Sequence, residues 1–284
     1  MQVIKSPLRY PGGKSRAIPK ILRQLPENFS EFREPFVGGG SVFITIKQKF
    51  PNVKMWINDL NYDLYCFWRI AQSDNLKLVN TVAEIKDKTE NGRDLFEEYR
   101  GSLHRDISEF DRAVRFFVLN RITFSGTVDS GGYSELAYKS RFTDSSIERL
   151  RSLEPILTDI KITNLDYKNV IRAPGADVFI FLDPPYWVAT KSRLYGKNGD
   201  LHLDFDHTEF ANEMSVCQHS WLITYDDSPN IRDNFSFANL YEWELQYGMN
   251  NYKQDKAAKG KELFITNYPL PKTRLDFNKL FSTS

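Results

Sequence analysis

Short apolar runs and helix-spaced apolar positions alternate along the chain in an order that predicts an α/β fold. Glu34-Pro35-Phe36-Val37-Gly38-Gly39-Gly40-Ser41 reads as a strand end, a glycine turn and a helix from Ser41 to about Phe50, closed by Pro51. Val53 to Ile57 is a second apolar run, closed by Asn58-Asp59, so the chain opens as a βαβ unit. From residue 61 to about 122 the strand signals stop. Segments 61–71, 75–88, 93–105 and 109–121 are helical by apolar spacing and by their Leu, Arg, Glu and Lys content. A Gly/Ser/Thr/Tyr-rich piece, Thr123 to Ser140, follows, and a helix over 145–154 ends at Glu154-Pro155. Strand signals resume at Ile160–Ile162, Val178–Leu182, Trp221–Thr224, Leu240–Leu245 and Leu263–Thr266. The simplest account is one sheet domain formed by 1–60 and 155–284, interrupted by a mostly helical insertion over 61–154.

A length of 284 residues suits one large α/β domain, or a core with an inserted subdomain, and needs no disulfide or metal staple. Hydrophobic residues at 41% and aromatics at 14% exclude global disorder. Cys66 and Cys217 form no CxxC, and the four histidines have no metal spacing, so no metal is expected. No apolar stretch approaches about 18 residues, and no signal-peptide region opens the chain. The expectation is a soluble cytoplasmic protein with no membrane partner. A net charge of +1 speaks against a strongly basic, histone-like binder. The charge is uneven, however: residues 1–60 carry ten Lys/Arg against four Asp/Glu, and the remainder is slightly acidic. A local nucleic-acid-facing patch is therefore permitted.

Three clusters fall where such a sheet binds ligands, at the carboxyl ends of its strands. Phe36-Val37-Gly38-Gly39-Gly40 lets backbone approach a ligand and tolerates positive φ, yet it lacks the spaced glycines of a dinucleotide site and any phosphate-loop lysine. A nucleoside without pyrophosphate is the better guess. Asn58-Asp59 puts a carboxylate at the end of the second strand, where it can accept bonds from both ribose hydroxyls. Val178-Phe179-Ile180-Phe181-Leu182-Asp183-Pro184-Pro185-Tyr186 is a buried strand ending in a carboxylate, two prolines and an aromatic. The prolines fix φ and remove two donors, leaving the Asp183 carboxylate and the Pro184 carbonyl as a rigid rim of acceptors. A planar amino group with two N–H bonds fits that rim, and Tyr186 supplies a face for stacking a base.

Asp183-Pro184-Pro185-Tyr186 together with Pro35-Phe36-Val37-Gly38-Gly39-Gly40 resembles the paired motifs of N6-adenine DNA methyltransferases. The order, glycine motif first with a helical insertion between, resembles the Dam-like group. Tyr10-Pro11-Gly12-Gly13-Lys14 resembles that group's N-terminal motif, which helps hold S-adenosylmethionine. Asn58-Asp59 matches its ribose-binding motif, and Leu165-Asp166-Tyr167 the pair that contacts the cofactor's adenine. Lys261 to Tyr268 resembles its closing strand. The resemblance implies a Rossmann-like S-adenosylmethionine-dependent methyltransferase sheet with a mostly helical inserted target-recognition domain. It implies methyl transfer to the N6 amino group of an adenine flipped out of double-stranded DNA, with no metal and no covalent intermediate. Cofactor contacts would come from Tyr10, Gly13, Lys14, Pro35, Phe36, Gly38, Gly40, Asp59, Asp166, Tyr167 and Asp183. Asp183, Pro184, Pro185 and Tyr186 would form the catalytic element.

Leu119 to Thr127 resembles the start of the family's target-contacting hairpin, with a departure. Ser125-Gly126-Thr127-Val128-Asp129 replaces the familiar Asn-Gly-Leu-Tyr/Cys-Arg run, so the arginine that often reads guanine in GATC enzymes has no counterpart. Arg9, Asn120, Arg121, Lys139 and Arg141 are the DNA-binding candidates, with a structural role the alternative for Asn120 and Arg121. Tyr195 to Asp200, running on to Phe205-Asp206-His207, resembles a family loop that orders over the flipped base, and Tyr247 to Lys261 is read as a phosphate-facing loop; a plain solvated surface loop is the alternative for each. The competing readings are an N4-cytosine DNA methylase, which usually has Ser in place of Asp183, an adenine RNA methylase, and an inactive DNA-binding regulator. A separately acting restriction endonuclease is a compatible partner, and a monomer is expected.

Overall fold

In the computed structural model, residues 3–103, 105–128, 131–187, 205–246 and 259–270 are described. Tyr195 to Asp200, Asp129 and most of Tyr247 to Lys261 lie outside them. Seven strands form one sheet: β1 (Glu31–Glu34), β2 (Lys54–Asn58), β3 (Lys161–Thr163), β4 (Val178–Leu182), β5 (Ser220–Asp226), β6 (Asn239–Gln246) and β7 (Lys259–Thr266). Their order is β3-β2-β1-β4-β5-β7-β6. All neighbours are parallel as far as β5, and β7 enters antiparallel between β5 and β6. This is the Rossmann-like α/β architecture the motif order implies.

All five residues of β4 are buried, as expected of a parallel strand covered on both faces. One face packs Phe32, Phe179 and Phe181 into a core that continues without a break through the helices between β2 and β3. The other packs Ile180, Trp221, Phe210 and Phe235. Trp56, Trp68 and Trp221 are core residues, as their apolar settings predict.

Between β2 and β3 the described residues are mostly helical, from Tyr62 to Leu157. The centre of this stretch is helix Glu109–Ile122, buried all round from Ala113 to Ile122. That helix lies against helix Tyr62–Ser73, with Phe67 and Phe117 stacked 5.9 Å apart at 8°. A helix buried on every side belongs in a core, and its apolar residues share one cluster with Phe32, Phe179 and Phe181 of the sheet. Pro155, read above as a stop, sits in the first turn of helix Glu154–Leu157, where its missing N–H costs nothing. Short helices that the apolar spacing does not reveal, such as Glu135–Arg141 and Tyr167–Ile171, are started by the side chains of Ser134 and Asp166. No helix among the described residues is long and apolar enough to cross a membrane.

The feature that positions the site is the reversal of strand order. β1 pairs with β2 on one side and β4 on the other, so the connections leave in opposite directions and open a crevice at the strands' carboxyl ends.

Candidate active site

β1 runs out at Glu34, and the chain turns through Pro35–Gly40 into helix Ser41–Lys49 at that crevice. Gly40 has φ +71°, a left-handed value that favours glycine. A Cβ on Gly40 would lie 2.5 Å from Phe43 and 2.6 Å from Trp68, and one on Gly39 2.7 Å from Tyr10. The space of the missing side chains is therefore filled by the protein's own rings, and Tyr10 of the N-terminal motif packs onto the turn. Glu34 is buried beneath it, accepting the Phe43 N–H at 2.9 Å. Burial, reinforced by nearby Asp183 and Asp59, drives the Glu34 carboxyl well above the usual range against that lowering bond.

Asn58 ties three strand ends together. Its Nδ2 donates to the Pro35 and Leu165 carbonyls at 3.0 and 2.9 Å, while its Oδ1 accepts from Leu165 N and Thr163 Oγ1. The next residue, Asp59, is thereby set on the crevice wall. Its Oδ2 accepts Gly38 N at 2.9 Å and its Oδ1 accepts Asn61 N at 3.0 Å. Burial raises its pKa to about 6 despite these bonds.

Across the crevice, Phe36, Tyr167 and Phe205 form an aromatic wall with ring centroids 5.5–5.8 Å apart. Asp166 caps helix Tyr167–Ile171 through Lys168 N. At the end of β4, Asp183 Oδ1 accepts from Lys14 Nζ at 2.8 Å and from Thr224 Oγ1 at 2.7 Å. Lys14 Nζ also donates to Gly12 O at 3.0 Å and lies 4.8 Å from the centre of the Tyr186 ring. The Tyr186 hydroxyl donates to buried Glu262 at 3.0 Å, and Trp187 N donates to Asp226 at 2.8 Å. Glu34, Asn58, Asp59, Asp183, Lys14, Tyr186 and the aromatic wall share one cleft of about 1600 Å³, whose described lining holds eight carboxyl side chains against three lysines.

Residues 10–249 match the family model of D12 class N6 adenine-specific DNA methyltransferases. The chain belongs to this family. It is 27% identical to the type II methyltransferase M.MjaIII of Methanocaldococcus jannaschii, over 93% of this chain and 99% of the relative. It is 24% identical to the type II methyltransferase M1.LlaDCHI of Lactococcus lactis subsp. cremoris, over 92% and 94%. A DNA adenine methylase of Haemophilus influenzae is 25% identical over 90% and 91%. The chain is thus an adenine-specific DNA methyltransferase by family.

In this methyltransferase every cofactor and catalytic candidate from the sequence lines the same cleft: Tyr10, Gly13, Lys14, Pro35, Phe36, Gly38, Gly40, Asp59, Asp166, Tyr167, Asp183, Pro184, Pro185 and Tyr186. The DNA-binding candidates separate into two groups. Asn120 is fully buried. It accepts Arg9 N at 2.9 Å and donates to Arg9 O and Gly126 O at 2.6 and 2.9 Å, so it joins the N-terminal segment to the insertion and offers nothing to the surface. Arg121 is also buried, bonded to Asn120 Oδ1 at 2.8 Å, with its Nε unpartnered. Burial and the neighbouring Arg9, Arg149 and Arg141 charges lower its pKa. Arg9, which bonds Thr123 O, is lowered by burial and by Arg141. Arg141 is exposed, and exposed Lys139 pairs with Glu135 at 2.9 Å. Sequence reading missed Thr224, Glu34 and Glu262. Only Thr224 left a trace, as the polar end of an apolar strand.

Proposed function

We propose that the enzyme binds S-adenosylmethionine between the carboxyl ends of β1 and β4. It transfers the methyl group to N6 of an adenine flipped out of double-stranded DNA. The observation that carries this reading is the convergence of the glycine turn, Asp59 and Asp183-Pro184-Pro185-Tyr186 on one cleft at the switch point of the sheet. The donor set fits the cofactor. Asp59, held by two backbone N–H groups, retains lone pairs for the ribose hydroxyls, and Phe36, Tyr167 and Phe205 offer apolar walls to an adenine ring. The excess of carboxyl groups suits a cationic ligand. Bound there, the cofactor supplies an electrophilic methyl group on a sulfonium.

The chain's own residues make the amino group a nucleophile. Its lone pair is delocalised into the adenine ring. Asp183 and the Pro184 carbonyl accept its two hydrogens, which frees the lone pair and stabilises the positive charge that develops on nitrogen. Tyr186 supports the extruded ring from its face. Outside the cleft, Arg9, Arg141 and Arg149 gather around buried Arg121 and form a cationic group suited to DNA phosphates. Lys139 adds exposed charge nearby. As the names of its relatives suggest for them, we place this methylase in a restriction-modification setting, acting in the cytoplasm as a monomer beside a separate endonuclease.

The test is tritiated methyl transfer with product nucleoside analysis. Asp183→Ala should retain cofactor binding and transfer nothing. Near-normal turnover by that variant would sink the mechanism, and label in cytosine would overturn the choice of base.

A further inference from the structure

The geometry points to Lys14 and Thr224 as positioning residues that lock one oxygen of Asp183 and thereby dedicate the other to the target amino group. This inference rests on the function proposed above, and it departs from the resemblance, which gives Lys14 to the cofactor.

The sheet itself brings Thr224 to Asp183. Leu182 on β4 is in register with Ile223 on β5, so the next residue of each strand stands beside the other. Thr224 is fully buried, and its hydroxyl donates to Asp183 Oδ1 at 2.7 Å. Lys14 arrives from the turn after Gly13 and is 3% exposed, an uncommon depth for a lysine. Its ammonium is satisfied by Asp183 Oδ1 at 2.8 Å, Gly12 O at 3.0 Å and the face of Tyr186. Both donors therefore meet the same oxygen, and no donor among the described residues is bonded to Oδ2.

Two fixed donors on one oxygen hold the carboxyl plane, which a single χ2 rotation would otherwise sweep. They also use up the lone pairs on that side. The amino group is left with one acceptor from Asp183, Oδ2, and one from Pro184, the two-point arrangement the reaction needs.

The experiment measures kcat and cofactor Kd on the full chain. Thr224→Val keeps the shape and removes the donor. Lys14→Met keeps the length and removes the charge. Each should lower kcat about tenfold or more, the effect of losing a hydrogen bond to a charged group, and leave cofactor Kd within about twofold. Thr224→Ser should restore most of the loss. Wild-type kcat in Thr224→Val, no restoration by Ser, or a Lys14→Met Kd that weakens in step with kcat would each overturn the inference. If Lys14→Met does not fold, the threonine pair decides alone. An active Asp183→Ala would instead break the functional reading beneath it.

Discussion

On the proposed contact between Asp59 and the ribose of the cofactor, cofactor binding should depend on pH. The ribose contact needs an ionised carboxylate, since a protonated one turns an acceptor into a donor. With the group titrating near 6, about nine tenths is ionised at pH 7 and about one tenth at pH 5. Cofactor Kd should therefore rise roughly tenfold between those values, or about 1.4 kcal/mol. Asp59→Asn should bind more weakly at every pH and lose the slope. Isothermal titration at pH 7, 6 and 5 on both proteins is the assay. Burial holds His207 at about 4, so it stays neutral throughout. The free protein should show the opposite trend. A carboxyl whose pKa is higher folded (about 6) than unfolded (3.8) binds its proton more tightly in the folded state. Its burial costs up to about 3 kcal/mol of stability above pH 6, a cost relieved as pH falls from about 6 towards 4. A wild-type Kd that is flat from pH 7 to 5, or an equal slope in Asp59→Asn, would refute the assignment.

Three further outcomes are expected. Gly40→Ala combines a left-handed φ with a Cβ 2.5 Å from Phe43, and should cost about 2–4 kcal/mol in chemical denaturation. Asn120→Ala leaves the Arg9 and Gly126 peptide groups buried without partners. It should destabilise by about 2–4 kcal/mol while the methylated sequence, read by methylation-sensitive sequencing, stays the same. DNA affinity should fall with salt at a log–log slope of about −3 to −4, as expected for a few arginine–phosphate contacts. A slope as steep as about −8 would mean a much larger basic surface.

The strands and the cleft were legible because each was written in local terms. Val178–Leu182 is an unbroken apolar run, and it became a strand with those bounds because it is buried on both faces. The motifs at its end and after β1 converged because parallel strands bring their carboxyl ends to one edge. What escaped the sequence depends on partners far along the chain. Asn120 carries a polar amide in an apolar helix, and nothing local reveals that Arg9, 111 residues away, satisfies it. The glycines were legible as a turn, but their crowding by Tyr10 and Trp68 is a tertiary fact. Short capped helices such as Glu135–Arg141 have too few turns for a periodicity to show.

The near-neutral charge is resolved by the same geometry. The described lining of the cleft holds eight carboxyl side chains against three lysines. Arg9, Arg141 and Arg149 gather outside that lining, around buried Arg121. On the function proposed above, a polyanion would be attracted at the arginine cluster and repelled at the cleft, which would keep the duplex out and admit an uncharged base. Net charge therefore says little here about whether DNA binds. Its partition instead favours the extruded base over the backbone as the part of the substrate that reaches Asp183.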